Sequence, residues 1–198
     1  HSGVYQVLLG EAGVREAISR SEAGQYDVLA ANRALAGAEI ELVQEIAREM
    51  RLKNALADVL DDYDFILLDC PPTLTLLTLN GLVAAEGVLV PMVCEYYALE
   101  GISDLVATVR KIRQAINPRL DIIGIVRTLY NSQSRLSQEV SEQLQSHFGR
   151  QLFTTTIPRN VRLAEAPSHG LPALAYDAKA KGTLAYLALA DELLARMA

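Results

Sequence analysis

Several features common in proteins are scarce or missing in this chain of 198 residues. It has no tryptophan, and no apolar run approaches the roughly 18 residues of a membrane span. Residues 1–20 lack the basic start and apolar block of a signal peptide. Its two cysteines, Cys70 and Cys94, have neither CxxC spacing nor a histidine cluster, so we expect buried small hydrophobic residues rather than a disulfide or metal ligands. The lack of a membrane span, of a signal peptide and of a disulfide pattern indicates a cytoplasmic protein.

A phosphate-binding loop is also missing. The P-loop reads G-x-x-x-x-G-K-[ST], and its backbone N–H groups and lysine surround the phosphates of a nucleotide. No Gly-Lys pair occurs in the chain, and residues 179–183 (KAKGT) contain the right residue types in the wrong order. The chain also opens at His1 rather than at a methionine. We therefore expect an N-terminal strand, P-loop and helix to belong to a parent protein but not to this chain.

The segment YDFILLDCPP (63–72) is the most informative part of the sequence. Four apolar residues at 65–68 lead into Asp69, and two prolines follow. Such a run predicts a strand buried on both faces of a parallel sheet, with Asp69 at the carboxyl end where open α/β sheets bind ligands. An aspartate there in nucleotide hydrolases holds Mg²⁺, directly or through water. The alternative is an aspartate that caps the turn by accepting hydrogen bonds from backbone N–H groups, and this short pattern does not decide between the two.

Apolar strand patterns alternate with helical patterns along the whole chain. This alternation predicts an α/β fold with a doubly wound, mainly parallel sheet and helices on both faces, as in P-loop NTPases. No linker or repeat interrupts it, so residues 1–198 are expected to form a single domain. The predicted strands are 26–31, 65–68, 88–93, 120–126 and 152–157, and the predicted helices are 4–9, 14–18, 40–60, 75–85, 99–116, 134–148 and 184–197.

Charge is unevenly distributed along the chain, whose net charge is −6. Residues 1–100 carry 16 acidic and 6 basic side chains, whereas residues 101–198 carry 8 acidic and 12 basic ones. The first half therefore has a net charge of −10 and the second half +4. This difference permits a local anion-binding face on the C-terminal half, although solvated helix faces are the simpler explanation for any single arginine.

Five blocks of sequence carry a family resemblance. They are LAGAEIELV (35–43), YDFILLDCPP (63–72), CEYYALEG (94–101), IPRNVRLAEAPSHG (157–170) and LAYDAKAKG (174–182). Together, and in this order, they closely resemble the chromosomal ParA/Soj family of partitioning ATPases. The similarity runs essentially from Val4 to the C-terminus, and the wider relatives are the MinD-like and nitrogenase iron-protein ATPases.

The resemblance implies a cycle driven by ATP and Mg²⁺. In the family, a deviant P-loop binds ATP, the ATP-bound protein forms a homodimer, and the dimer binds double-stranded DNA without sequence preference. A ParB-type centromere-binding protein stimulates hydrolysis, and the protein is cytoplasmic and nucleoid-associated. Glu95-Tyr96-Tyr97 matches a block near the dimer face, although these tyrosines could instead pack under the start of the following helix.

Nucleotide-site residues are implied only where this sequence matches the family. Asp69 corresponds to the Walker B aspartate, which assists Mg²⁺, through water, and the attacking water molecule. The segment Pro158-Arg159-Asn160 corresponds to part of the adenine pocket, with Glu165 close by, and Asn131 is a weaker candidate for a second adenine contact. Asn160 could equally be the N-cap of a short helix over 161–165.

DNA contacts in the family come from arginines near two loops. Arg162 matches directly, whereas Gln133 stands where many members have arginine. Arg135 and Arg127 lie nearby and are the candidates to replace it, with Arg135 able to reach phosphate through its long side chain. This departure from the family pattern leaves the strength of DNA binding open.

Two functions fit these observations, and a third does not. The first is an ATP-driven DNA-partitioning switch in the parent protein, with this chain alone inactive because positioning by the P-loop supplies most of phosphoryl-transfer catalysis. The second is a shortened, non-catalytic module that binds DNA or a partner protein without ATP. A membrane-cycling, MinD-like protein is disfavoured, because residues 184–198 contain a single basic side chain, Arg196, and lack a cationic helix face.

Overall fold

The computed structural model describes residues 2–197, apart from the side chain of Ala98. The chain divides into two compact units, each with its own core. The first covers the chain up to Glu86 together with Ile112–Leu120, and the second covers Gly87–Lys111 and the chain from Asp121 onward. That residues 1–198 form a single domain stays a prediction.

The first unit is mostly helical. Its side chains pack around buried residues of three helices, including Leu8, Leu42 and Leu56. One antiparallel hairpin accompanies the helices, and Ser21 pairs with Tyr26 at its turn. The elements are α1 (Val4–Leu9), α2 (Val14–Ala17), β1 (Ile18–Ser21), β2 (Tyr26–Leu29), α3 (Leu35–Leu42), α4 (Arg51–Leu56) and α5 (Leu76–Ala84), with 3₁₀ turns at Arg48–Met50 and Leu60–Asp62.

The prediction of a buried strand over 65–68 is wrong for this structure. Phe65 is 50% exposed and Leu67 is 87% exposed, while Ile66 and Leu68 pack against the core of the first unit. No strand in the described part of the chain forms ladder hydrogen bonds with this segment. A strand buried on both faces needs a neighbour for its backbone groups, and here the apolar run forms no ladder and only every second side chain is covered.

A buried asparagine links three elements of the first unit. Asn80 on α5 is 1% exposed, and its Oδ1 accepts a hydrogen bond of 3.1 Å from the backbone N–H of Leu52 at the start of α4. Its Nδ2 donates to the carbonyl oxygens of Arg48 at 2.8 Å and Leu76 at 3.0 Å. The side chain therefore supplies an acceptor for an N–H group that the start of α4 leaves without a helical partner, and it ties this turn to α5.

Removing this link should destabilise the protein. Asn80→Ala leaves buried backbone groups unpaired, and we expect it to lower the free energy of unfolding by about 2–3 kcal/mol. Asn54→Ala is the matched control, because Asn54 is exposed on α4, and its effect should stay within about 0.5 kcal/mol. Urea unfolding of the two variants tests this, and equal midpoints would contradict it.

The second unit contains a three-stranded parallel sheet flanked by helices, which confirms the predicted α/β class. The strands lie in the order β3-β4-β5, and the core between sheet and helices includes Val126, Phe153, Ile157 and Leu189. The elements are β3 (Gly87–Val93), α6 (Ala98–Ala115, whose last turn is counted with the first unit), β4 (Asp121–Tyr130), α7 (Arg135–Phe148), β5 (Leu152–Pro158), α8 (Val161–Glu165), α9 (Ala173–Tyr176) and α10 (Lys181–Met197).

The outer edge of β5 is covered by two side chains of α10. Glu192 accepts hydrogen bonds from the backbone N–H groups of Thr154 at 2.8 Å and Thr155 at 2.9 Å. Arg196 donates to the carbonyl oxygen of Leu152 at 2.8 Å and to Glu192 at 2.9 Å, and its guanidinium carbon lies 3.8 Å from the centre of the Phe153 ring. These contacts fix α10 on the sheet and satisfy backbone groups of an edge strand.

The same contacts make stability depend on pH. Burial raises the pKa of Glu192, but hydrogen bonds from Thr155, Thr154 and Arg196 outweigh it and lower this pKa to about 2 from the ordinary value of 4.5. A depressed folded-state pKa stabilises the protein above pH 4.5, and this contribution is lost as the pH falls toward about 2.

We expect Glu192→Gln to lower the free energy of unfolding at pH 7 by on the order of 2–3 kcal/mol. The difference from wild type should shrink as the pH falls below the ordinary glutamate pKa. Urea titrations at several pH values check this, with Glu142→Gln on an exposed position of α7 as the control. A difference that does not change with pH would contradict the ionic account.

Candidate functional site

Asp69 presents a free carboxylate in the first unit. The residue is exposed, and no hydrogen bond or ion pair to its side chain occurs within residues 2–197. No backbone N–H donates to it, so the turn-capping alternative finds no support in this part of the chain. A carboxylate with both oxygens unengaged fits the hard-oxygen preference of Mg²⁺, as a direct ligand or through water.

The cysteines differ from each other. Cys94 at the end of β3 is buried, as predicted, and burial raises the pKa of its thiol although the positive charge of Arg127 opposes this. Cys70 is exposed, so the prediction that it is buried is wrong. Its Sγ still lies close to α5, because a Cβ added at Gly81 would come within 2.8 Å of it. Both cysteines are free thiols, in agreement with the sequence.

The loops after β4 and β5 meet at one edge of the parallel sheet. Tyr130 and Pro158 are register partners at the carboxyl ends of these strands, so Asn131 and Arg159 are the next residues of neighbouring loops. Asn131 is exposed, and its Oδ1 accepts a hydrogen bond of 3.0 Å from the backbone N–H of Gln133. The structure thus brings the two predicted adenine segments together at the edge where open α/β sheets bind ligands.

Asn160 is the N-cap of α8, which confirms one of its two predicted roles. Its Oδ1 accepts a hydrogen bond of 3.3 Å from the backbone N–H of Leu163. The start of α10 packs tightly here, because a Cβ at Gly182 would lie 2.5 Å from Leu163 Cδ1 and 3.0 Å from Asn160 Cβ. The cap engages only the Oδ1 atom of the Asn160 side chain, so the cap and an adenine contact through the amide nitrogen are compatible.

The Glu165 carboxylate accepts hydrogen bonds from two neighbouring side chains. Its Oε2 accepts hydrogen bonds from Arg162 Nη1 at 2.9 Å and from the Tyr176 hydroxyl at 3.2 Å. The His169 ring stacks on Tyr176 with ring centres 4.9 Å apart, and Ser168 Oγ donates to the Glu165 carbonyl oxygen at 2.7 Å. These contacts give Glu165 a fixed position beside Arg162. Its predicted nearness to adenine stays a prediction.

Arg127 points into the second unit rather than away from it. Its Nη1 donates to Ser141 Oγ at 2.7 Å, and its Nη2 donates to the carbonyl oxygens of Phe153 at 2.8 Å and Thr154 at 3.1 Å. Its Nε is buried and has no partner among the described residues. The guanidinium also lies 5.7 Å from the centre of the Tyr130 ring. These contacts give Arg127 a structural role, which it would have to abandon to reach a DNA phosphate.

The pairing of β4 with β5 is irregular next to Arg127. Ile125 and Arg127 pair with Leu152 and Thr156, so β5 has two more residues than β4 between these pairs. Such a bulge leaves carbonyl groups without ladder partners. Arg127 bonds to two of them.

The other two arginines are at the surface. Arg135 begins α7, its side chain is 92% exposed, and its Nε lies 2.9 Å from Glu139 Oε1. Arg162 on α8 is 54% exposed and contacts two carboxylates, with Nη1 2.9 Å from Glu165 and Nε 3.6 Å from Asp177. Both guanidinium groups reach solvent, and each has an acidic neighbour.

Sequence reasoning missed the partners that hold these arginines. Ser141 follows Val140 on the buried side of α7, and a serine at a core position is a signal for a buried hydrogen bond. Asp177 and Tyr176 lie inside a matched block but carry no local signal. Their contacts with α8 arise only because α9 folds back toward it.

Tyr96 and Tyr97 follow β3 and are 76% and 74% exposed, so they do not pack under α6. Their rings form an edge-to-face pair with centres 5.2 Å apart. With Val93, Glu95 and Leu136 they line an open cavity of about 610 Å³. Within residues 2–197, no helix is both long enough and apolar enough to cross a bilayer.

Comparison with known proteins gives consistent matches. A family model described as "AAA domain" matches residues 1–122. The chromosome-partitioning ATPase Soj of Treponema pallidum is 47% identical over 193 residues, which is 98% of this chain and 76% of that protein. The sporulation initiation inhibitor protein Soj of Bacillus subtilis is 46% identical over 192 residues, covering 97% of this chain and 76% of that protein.

A solved structure agrees with these relatives. Cobyrinic acid a,c-diamide synthase from Mycobacterium smegmatis is similar with a TM-score of 0.81 at 36% identity, over 97% of this chain and 71% of that chain. A second structure of that enzyme, with a bound ATP analog and magnesium, has a TM-score of 0.75 at 37% identity over 88% and 68% of the two chains. With such identity to Soj proteins over nearly its whole length, and with a parallel sheet flanked by helices, the chain belongs to the ParA/Soj family of P-loop chromosome-partitioning ATPases.

Proposed function

We propose that the protein acts as an ATP-dependent DNA-partitioning switch. In its ATP-bound state it forms a homodimer that binds double-stranded DNA without sequence preference, and a ParB-type partner stimulates hydrolysis and resets the cycle. The observation that carries this proposal is 47% identity to a partitioning ATPase over 98% of the chain, combined with a free carboxylate at Asp69. The exposed pair Tyr96 and Tyr97 offers apolar surface for a second copy.

In this proposal Asp69 supports phosphoryl transfer. Its carboxylate would hold Mg²⁺ through a water molecule and would help to orient the attacking water. Bound Mg²⁺ supplies charge neutralisation at the phosphate oxygens. Because no protein group competes for the Asp69 side chain within residues 2–197, it needs no rearrangement to take up this role.

Adenine would be held at the edge where the loops after β4 and β5 meet. Pro158, Arg159 and Asn160 would supply backbone carbonyl groups, Arg159 and Asn160 would also supply N–H groups, and the N-cap hydrogen bond fixes the Asn160 side chain at the start of α8. Asn131 lies in the neighbouring loop and adds a side-chain amide. Two neighbouring loops at the carboxyl ends of parallel strands are suited to read the polar edge of a purine.

The DNA face would consist of Arg162 and Arg135. Both are exposed, whereas Arg127 is excluded from the proposed face because its terminal nitrogens are bonded to Ser141 and β5. Arginine contacts to phosphate carry no base information, which fits binding without sequence preference. Affinity should therefore fall with rising salt concentration.

The direct test uses the protein as its complete gene encodes it, called here the gene-encoded protein. Its binding to short random duplexes is measured with and without ATP and Mg²⁺. We expect binding that depends on ATP and salt, together with hydrolysis stimulated by a ParB-type protein. Binding that is identical without nucleotide would contradict the proposed cycle.

A second function, a non-catalytic binding module, is favoured by the absence of a Gly-Lys pair in the chain. Residues 1–198 by themselves should then show only background ATP turnover and weak ATP affinity. Because the switch also predicts background turnover for these residues alone, the two cases are separated by the gene-encoded protein, in which robust ATP turnover would exclude the module.

A further inference from the structure

Arg162 is held by a small cluster of its own acidic and aromatic neighbours. Its Nη1 contacts Glu165 Oε2 at 2.9 Å, and its Nε lies 3.6 Å from Asp177 Oδ2. Glu165 is fixed in turn by the Tyr176 hydroxyl, which donates to the same Oε2 at 3.2 Å. Asp177 Oδ1 accepts a hydrogen bond of 3.1 Å from the backbone N–H of Lys179, which orients its other oxygen toward the arginine.

This arrangement differs from that of the other surface arginine. Arg135 is 92% exposed, and its acidic neighbour Glu139 lies on the same helix, one turn away. Arg162 is only 54% exposed, and its guanidinium meets carboxylates from two different elements, α8 and the residue after α9. Two sides of the guanidinium fork are therefore already occupied by anionic oxygens.

A DNA phosphate that approaches Arg162 meets two negative charges. It must displace at least one carboxylate to form a paired contact with the fork, or bind beside both and be repelled. An exposed ion pair contributes little free energy, so a phosphate can displace either carboxylate from the arginine. The displacement still reduces the net free energy that phosphate binding gains. The carboxylates thus lower DNA affinity without blocking it.

We propose that Glu165 and Asp177 are affinity-determining residues that compete with DNA phosphate for Arg162. Resting on the proposed function, this inference assigns to the α8–α9 cluster the task of keeping DNA binding weak and reversible. Neutralising either carboxylate strengthens DNA binding, and the gain requires Arg162.

The primary test is Asp177→Asn, which removes the charge but retains an oxygen that can accept from the Lys179 N–H. Duplex DNA of random sequence is titrated into the gene-encoded protein with ATP and Mg²⁺ at one fixed salt concentration. We expect the affinity to rise about two- to fivefold, the range that an exposed ion pair of this kind supports. Glu165→Gln should raise it by a similar factor, and its ATP affinity is measured in parallel, since Glu165 lies beside the proposed adenine loop.

Two controls separate competition from a simple change in net charge. Glu142→Gln neutralises one exposed carboxylate on α7 and should leave DNA affinity nearly unchanged. Asp177→Asn combined with Arg162→Ala should show no gain over Arg162→Ala alone, because the competing carboxylate acts only through the arginine.

The outcomes distinguish this inference from the proposed function. If Arg162→Glu weakens DNA binding but neither Asp177→Asn nor Glu165→Gln strengthens it beyond the Glu142→Gln control, the competition is overturned and the DNA face stands. If Arg162→Glu leaves binding unchanged, both the DNA face and the competition are overturned. A gain that persists in the Arg162→Ala background also overturns the competition.

Discussion

Replacing Asp69 by alanine should reduce ATP turnover of the gene-encoded protein by at least about a hundredfold while leaving the fold intact. The carboxylate is proposed to order Mg²⁺ and water, so its loss acts on the transition state more than on nucleotide binding in the ground state. The side chain makes no hydrogen bond or ion pair within residues 2–197. The melting temperature should therefore stay within about 2 °C of wild type.

Asp64→Ala is the matched control for this prediction. Asp64 is exposed in the same extended segment, and its removal changes the net charge by the same amount. It should retain most of the turnover. Turnover near wild type in Asp69→Ala, together with a clear drop in melting temperature, would instead assign Asp69 a purely structural role.

Reversing the charge of Arg162 should have the largest effect on DNA binding. Arg162→Glu is expected to weaken binding by the ATP-bound dimer about tenfold to hundredfold, because in each of two copies an attraction to phosphate is replaced by a repulsion. The slope of log affinity against log salt concentration should shrink by about one unit for each phosphate that the dimer no longer neutralises. Sequence preference should not change, since arginines that bind phosphate do not read bases.

Salt titrations on short random duplexes measure this effect, with ATP binding and dimerisation followed in parallel. Arg33→Glu in the first unit is a matched reversal of an exposed arginine and should have little effect. Arg135→Glu should act in the same direction as Arg162→Glu if Arg135 replaces the arginine absent at Gln133. An unchanged salt slope with lowered stability would show that Arg162 serves only its ion pairs with Glu165 and Asp177.

The sequence predicted those elements whose signals are local. β3, with its continuous apolar run, and β5 were both located to within one residue, and α7 begins after Ser134, whose Oγ accepts from the Ser137 N–H as an N-cap. The hairpin of β1 and β2 was only half predicted, because Ile18–Ser21 is largely polar. The helix predicted over 40–60 is broken at Ala47, which has a φ of 50° although glycine is the residue that usually occupies such a position.

The site shows the same division between local and distant causes. The cap role of Asn160 and the meeting of the loops after β4 and β5 follow from residue type and from parallel strands. The inward position of Arg127 does not, since its acceptors are a helix serine and the carbonyls of a bulge 26 and 27 residues away. Similarly, residues 65–68 have the composition of a buried strand, but a strand exists only where a neighbour supplies ladder bonds.

The contacts of Glu192 and Arg196 with β5 also determine which edge of the sheet can pair with a further strand. An edge strand is a template on which another strand can add, and here the side chains of α10 occupy that template. At the opposite side of the described three-stranded sheet, β3 forms its ladder with β4 alone. Any strand that joins this sheet, from the same polypeptide or from another, would therefore do so next to β3, and the sheet widens from one side only.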